Sequence, residues 1–163
     1  MKVEIIRCLN DNYSYLIHEK KTNTVSIVDP SEFKACDAVI NNYKKLDFIL
    51  NTHHHADHVG ANLELKKKYN SKILGSKSDK DRIPGIDIFL EENQKQKIGN
   101  LDFDVIFTPG HTTGHITFFF IKEINNMTFS MTWSKNYFKF QITNLLFLII
   151  LKKDIYSWNT IFI

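Results

Sequence analysis

Four of the seven histidines and one carboxylate fall within His53-His54-His55-Ala56-Asp57-His58, directly after the apolar run Phe48-Ile49-Leu50. If the backbone stays extended into the histidines, side chains two apart share a face, so His53 and His55 project together and His54 points away. Neutral imidazoles paired in this way suit a divalent first-row metal, zinc above all. Asp57 and His58 are adjacent and would diverge in a strand, so both reach one cleft only if the chain turns there. Gly60-Ala61-Asn62 followed by Leu63-Glu64-Leu65-Lys66 predicts the start of a helix. The pattern is a strand end, a turn carrying ligands, then a helix. A polar loop with clustered histidines is the plainer alternative. Five potential ligands at this spacing, and a second histidine motif at His111 and His115, outweigh it.

The elements that must position these groups can be read along the chain. Val3 to Arg7 and Tyr13 to His18 read as strands around a turn at Asp11-Asn12, and Thr24 to Val28 as a third. Ser31 is a candidate cap for a helix with Phe33, Cys36, Val39, Ile40 and Tyr43 on one face. Leu46 to Leu50 is a buried strand that delivers the histidines. Lys72 to Gly75 and Ile86 to Leu90 are further strands, with a polar loop from Ser76 to Gly85 between them. Ile98-Gly99-Asn100-Leu101 is a hairpin turn, after which Leu101, Phe103, Val105 and Phe107 alternate with polar residues. Ile116 to Ile121 is an apolar strand, Asn125-Asn126 a turn, and Met127-Thr128-Phe129 the next strand. The class is α/β.

At 163 residues the chain can bury one sizeable core. Residues 1–130 carry 17 basic and 17 acidic side chains, so the net +3 comes from four lysines against Asp154 in the remainder. No basic patch argues for nucleic acid. No stretch reaches the roughly 20 apolar residues of a membrane span. Met1 to Arg7 is too short and too charged for a signal peptide, and a cytoplasmic location follows by default. Cys8 and Cys36 are far apart in sequence and are read as two thiols rather than a disulfide.

Thr52-His53-x-His55-x-Asp57-His58 resembles the signature of the metallo-β-lactamase superfamily. Its surroundings resemble hydroxyacylglutathione hydrolase, or glyoxalase II. Leu9-Asn10-Asp11-Asn12-Tyr13-Ser14-Tyr15-Leu16-Ile17, Ile27-Val28-Asp29-Pro30, Asp81-Arg82-Ile83-Pro84-Gly85 and Thr108-Pro109-Gly110-His111-Thr112-Thr113-Gly114-His115 fall in that family's order. The resemblance runs from Met1 to about Ser130. It implies an αβ/βα sandwich, first half only, built by residues 1–130. It also implies His111 as the third ligand of a first metal beside His53 and His55, leaving a fourth position for water as in catalytic zinc sites. Asp57 and His58 would bind a second metal, or Asp57 would act in catalysis by orienting the water. The implied cofactor is zinc, two ions in the intact family, with iron and manganese as alternatives. The implied substrate is an acylglutathione thioester, S-lactoylglutathione, hydrolysed to lactate and glutathione in methylglyoxal detoxification. His115 is read as steadying the Pro109-Gly110 turn, His54 as a supporting residue, His18 as an ordinary strand residue, and Asp29 and Asp11 as turn formers.

The resemblance breaks after Phe129-Ser130, where the family has Gly-Asp-Thr-Leu-Phe and this chain has Met131-Thr132-Trp133-Ser134. The bridging aspartate is missing, no acid appears before Asp154, and no histidine follows His115. All glycines and prolines precede residue 131, and Leu145 to Leu151 is an unbroken apolar run, read as aggregation-prone. Residues 131–163 are therefore read as a tail unrelated to the family, the product of a shifted or decayed reading frame, or else a lineage-specific addition. The expectations are one tightly held zinc, a weak second position and reduced hydrolase activity. A non-catalytic metal-binding remnant, or another hydrolase of the superfamily, is the alternative. Residues 1–130 are expected to form one sheet-centred half, the tail neither to rebuild the second sheet faithfully nor to bring a carboxylate to the metals, and exposed apolar surface to favour self-association.

Overall fold

The computed structural model describes residues 1–124, 127–134, 137–143 and 147–152, with side chains described for residues 1–120. Two six-stranded sheets are present among the described residues. The first holds β1 (Lys2–Cys8), β2 (Asn12–Glu19), β3 (Thr24–Val28), β4 (Phe48–Leu50), β5 (Lys72–Ser76) and β6 (Ile88–Leu90), side by side in chain order. β1 to β3 are antiparallel, and β3 to β6 run parallel. Parallel neighbours need crossovers. Helix α1 (Phe33–Ile40) links β3 to β4, and α2 (Ala56–Val59) with α3 (Asn62–Tyr69) links β4 to β5. The second sheet is an antiparallel meander of β7 (Lys95–Ile98), β8 (Leu101–Phe107), β9 (Ile116–Ile124), β10 (Met127–Ser134), β11 (Tyr137–Thr143) and β12 (Phe147–Lys152).

The central strands of the first sheet show why the sequence is apolar without alternating. In Leu16-Ile17, Ile27-Val28, Ile49-Leu50 and Ile73-Leu74, the first residue packs under the helices with Cys36, Ile40 and Leu65. The second packs toward the other sheet, against Phe103, Val105, Phe118 and Phe120. A strand covered on both faces needs an apolar residue at every step. Each such side chain contributes roughly 1.5–3 kcal/mol by leaving water. In the second sheet β8 keeps its alternation, with Leu101, Phe103 and Val105 buried and Asp102 and Ile106 exposed.

The hairpin turn between β7 and β8 ties the sheets together. Gly99 has φ +59°, and a Cβ there would lie 2.3 Å from the Thr22 hydroxyl. Only a residue without a side chain fits that approach and that backbone. Beside it, the buried Glu19 carboxylate accepts hydrogen bonds from the amides of Lys21, Thr22 and Asn100 and from the Thr22 hydroxyl.

Three expectations change. Ser31 does not cap α1: the position before the helix is Glu32, without a side-chain cap, while the Ser31 amide donates to Ser14 Oγ. Residues 1–124 build the first sheet and also begin the second. Finally, the backbone beyond residue 130 continues the second sheet, with β11 pairing β10 and β12 pairing β11. Aromatic and β-branched residues in Tyr137–Thr143 and Phe147–Lys152 favour extended pairing, and this outweighs the lack of turn residues. The Asn125-Asn126 turn, Asp154 and the tail's apolar side chains lie outside the described residues.

Candidate metal centre

The parallel strands β3, β4 and β5 end along one rim of the first sheet, and in open α/β sheets such carboxyl ends collect functional groups. Asp29 follows β3, the histidine run follows β4, and Asp79 follows β5. The second sheet supplies the other wall through Thr108–His115, the loop between β8 and β9. The Ile116 amide donates to the Thr52 carbonyl at 2.9 Å, which joins the two loops directly.

His53, His55 and His111 each offer a ring nitrogen to one point, the three atoms lying within 4.8 Å of one another. His111 Nε2 is 2.9 Å from His55 Nδ1. The third nitrogen can be assigned from its neighbours. Asp29 accepts from the Thr52 amide through Oδ1 at 2.8 Å, and from the Thr52 hydroxyl through Oδ2 at 2.6 Å. A hydroxyl that donates to a carboxylate has only lone pairs left for His53 Nδ1, 3.0 Å away, so His53 carries its proton on Nδ1. Its Nε2 is then an unprotonated acceptor, and it is buried with no hydrogen-bond partner. A buried lone pair without a donor is costly unless something electrophilic meets it. Burial holds the His53 imidazole neutral, its pKa lowered to about 3. Three converging imidazoles, one of them neutral with a stranded lone pair, are a donor set that fits zinc.

His58 and Asp57 lie in α2 beside this set. His58 Nδ1 donates to Asp29 Oδ2 at 3.0 Å, which turns Nε2 toward Asp57 Oδ2, 3.3 Å away. Asn12 fixes Asp57 by donating to its backbone carbonyl at 2.9 Å and its Oδ2 at 2.8 Å. Asp29, His53 and His58 also cluster closely enough to hold an ion. Both Asp29 oxygens, however, already accept hydrogen bonds, so Asp29 is better placed to orient His58 and His53 than to bind metal. Burial would push the Asp29 carboxyl up, but His58 and the Thr52 donors more than offset it and keep it ionised.

The structure thus brings His53, His55, Asp57, His58 and His111 to one rim. His54 points away, and its Nδ1 meets the buried Asp79 Oδ2 at 3.0 Å. Asp79 also pairs with Arg82, whose guanidinium reaches Thr113 Oγ1 at 3.4 Å. His115 Nδ1 meets Thr108 Oγ1 at 2.8 Å beside the Pro109-Gly110 turn, and His18 bonds Asn23 at 2.8 Å on β2. Asp29 has the positive φ of a turn residue, +49°, and its carboxylate in addition organises the histidines. Asp29, Thr52, Asp79 and Asn12 were the residues that spacing alone did not single out. The available signal was an aspartate directly after the buried strand Thr24–Val28, where a parallel sheet exposes its site.

The metallo-beta-lactamase superfamily matches residues 12–130. Hydroxyacylglutathione hydrolase from Pelagibacter ubique is 48% identical over 124 residues, covering 76% of this chain and 52% of that protein. The Methylococcus capsulatus hydroxyacylglutathione hydrolase is 40% identical over 116 residues, covering 71% and 45%. The chain spans about half the length of these curated relatives. Among solved structures, ETHE1 from Myxococcus xanthus aligns with a TM-score of 0.65 at 24% identity, covering 74% of this chain and 54% of that one. The BLEG-1 B3 metallo-beta-lactamase aligns with a TM-score of 0.63 at 21% identity, covering 73% and 67%. At such identities these two structures establish the fold alone.

Proposed function

The chain belongs to the metallo-β-lactamase superfamily, and from that premise we propose that it is a metal-dependent thioester hydrolase of the hydroxyacylglutathione hydrolase type. Its substrate class is acylglutathione, S-lactoylglutathione in the first instance, and its ion is zinc. The observation that carries this reading is the convergence of His53, His55 and His111 from two sheets, in a segment 48% identical to a hydroxyacylglutathione hydrolase.

Residues His53 Nε2, His55 Nδ1 and His111 Nε2 would hold the first ion, and Asp57 with His58 would contribute to a second. A divalent ion supplies Lewis-acid activation of water and of a thioester carbonyl. The protein's own part is positional. Asp29, through Thr52, keeps His53 Nε2 available as a lone pair, and through His58 Nδ1 it keeps the opposite ring nitrogen facing Asp57. Asp57, pinned by Asn12, presents a carboxylate at the rim where it can accept a proton from attacking water. A thiolate leaving group, with a pKa of about 8.5 for a cysteine-type thiol, departs without a strong acid.

The test is release of free thiol from S-lactoylglutathione by zinc-loaded protein, with His111→Ala as the control. Thiol release that disappears in the variant supports the hydrolase. Tight zinc binding without any thiol release would overturn it and leave a metal-binding protein without catalysis.

A further inference from the structure

Cys8 closes β1 and Cys36 lies in α1, 28 positions apart, yet their Sγ atoms are 3.7 Å apart in the core beneath the helices. Both are buried, and neither belongs to the metal centre. Ser14 Oγ stands beside them, 3.3 Å from Cys8 Sγ and 3.6 Å from Cys36 Sγ. The same hydroxyl donates to the Asp29 carbonyl at 2.7 Å and accepts from the Ser31 amide at 3.2 Å. A buried thiol among hydrocarbon is inert. Two in contact beside a hydroxyl are chemically different, because one can share its proton while the other takes thiolate character.

We propose that Cys8 and Cys36 form a reversible redox site that takes a hydroperoxide as oxidant and a small thiol as reductant. Contact with Cys36 draws the Cys8 thiol below the usual thiol range against the effect of burial, while the Ser14 hydroxyl, its proton given to Asp29, can only accept from sulfur. Contact with Cys8, together with burial, pushes Cys36 up. Cys8 ends β1 beside the exposed residues Leu9, Asn10 and Asp11, whereas Cys36 is enclosed within α1, so Cys8 is the attacking sulfur and Cys36 the resolving one. The Cys8 thiolate attacks the peroxide O–O bond, forming Cys8 sulfenic acid and releasing hydroxide, which takes up a proton as water. Cys36 sulfur then attacks Cys8 Sγ. The S–S bond forms, the S–O bond breaks, and the hydroxyl leaves as water with the Cys36 proton. Two thiols are oxidised and one hydrogen peroxide is reduced to two waters. Two equivalents of an external thiol reverse the step and leave as their own disulfide. A disulfide needs about 2.05 Å between sulfurs, so the pair must close by about 1.7 Å, a movement that side-chain rotation can supply.

The cross-link would join β1 to α1 on either side of the chain that turns at Asp29. It does not rest on the hydrolase reading, because its readout is thiol chemistry in metal-free or metal-loaded protein alike.

The experiment treats the folded full chain with one equivalent of hydrogen peroxide, then denatures it, alkylates remaining thiols and digests it for mass spectrometry. The expected result is loss of both thiols together and one intramolecular peptide joining Cys8 to Cys36. Dithiothreitol should regenerate both thiols, and the thermal midpoint should shift upward on oxidation. In Cys36→Ser, dimedone should trap a sulfenic acid at Cys8. Thiols that survive treatment, that oxidise independently of each other, or that link two separate chains would overturn the proposal. So would a Cys8→Ser variant whose Cys36 forms the sulfenic acid instead. The wild-type arm decides the matter even if a variant fails to fold.

Discussion

Gly114 and Asp79 meet more closely than any side chain at 114 would allow: a Cβ there would lie 2.2 Å from Asp79 Oδ1. Asp79 is fully buried and also holds His54 and Arg82, so one carboxylate ties the histidine run to the loop that carries His111. Gly114→Ala should push that carboxylate out of place. Overpacking of this kind costs roughly 1–3 kcal/mol. Thermal denaturation should show the loss, and a competition titration with a chromophoric chelator should show weaker zinc binding. Unchanged zinc affinity would mean that the two loops do not depend on Asp79 for their alignment.

Thr52→Val tests the proton assignment of His53 with almost no change in shape. Without the hydroxyl, Asp29 no longer determines which His53 nitrogen carries the proton. Loss of a residue that orients a metal ligand typically lowers affinity about 10–100-fold. Zinc affinity should fall within that range, with secondary structure by circular dichroism unaltered. An affinity equal to wild type would refute the relay.

Metal content after dialysis should be near one zinc per chain. His111→Ala should release most of it, and because His111 is exposed its removal leaves no buried cavity. His53→Ala should also release the metal but additionally lower stability, since that ring is fully buried. Asp57→Ala should change stoichiometry little. Two equivalents in the wild type, measured by plasma emission spectroscopy, would show that a further group completes the second position.

Glu19 gives the fold a pH signature away from the metal. Burial would raise its carboxyl, but the Thr22 hydroxyl and the Lys21, Thr22 and Asn100 amides outweigh this and hold it at about 2, against an ordinary 4.5. A folded pKa below the unfolded one stabilises fully above the unfolded value and is lost as pH falls through the folded value. Glu19→Gln should therefore cost roughly 1.5–3 kcal/mol near neutral pH, the worth of hydrogen bonds to a charged group. The gap to wild type should narrow between about pH 4.5 and 2 in urea titrations. A gap independent of pH would show that the carboxylate's charge is not what matters.

The histidine cluster was legible because metal ligands must come in particular residue types, and a run such as His53-x-His55 leaves few other uses for them. The parallel strands were legible for a similar reason: Ile27-Val28, Ile49-Leu50 and Ile73-Leu74 are apolar on both faces. What supports the ligands was not legible. Asp29 and Asp79 resemble ordinary turn residues in sequence, and their roles arise only when strands that are neighbours in space align their ends. The contact between Cys8 and Cys36 depends likewise on how α1 crosses β1. The strands β11 and β12 are less legible, because their segment lacks turn residues and only the extended preference of its aromatic and β-branched side chains marks them.

The hydrogen bond from Ile116 to Thr52 bears on the order in which the protein is made. His55 and His111 are 56 positions apart and arrive on different sheets. Long-range pairings of this kind form late, after the loop between them has closed. A chain emerging from the ribosome would carry His53 and His55 well before it could grip an ion between three rings. Metal capture would therefore coincide with the docking of one sheet on the other, making zinc uptake a clock for the completion of folding.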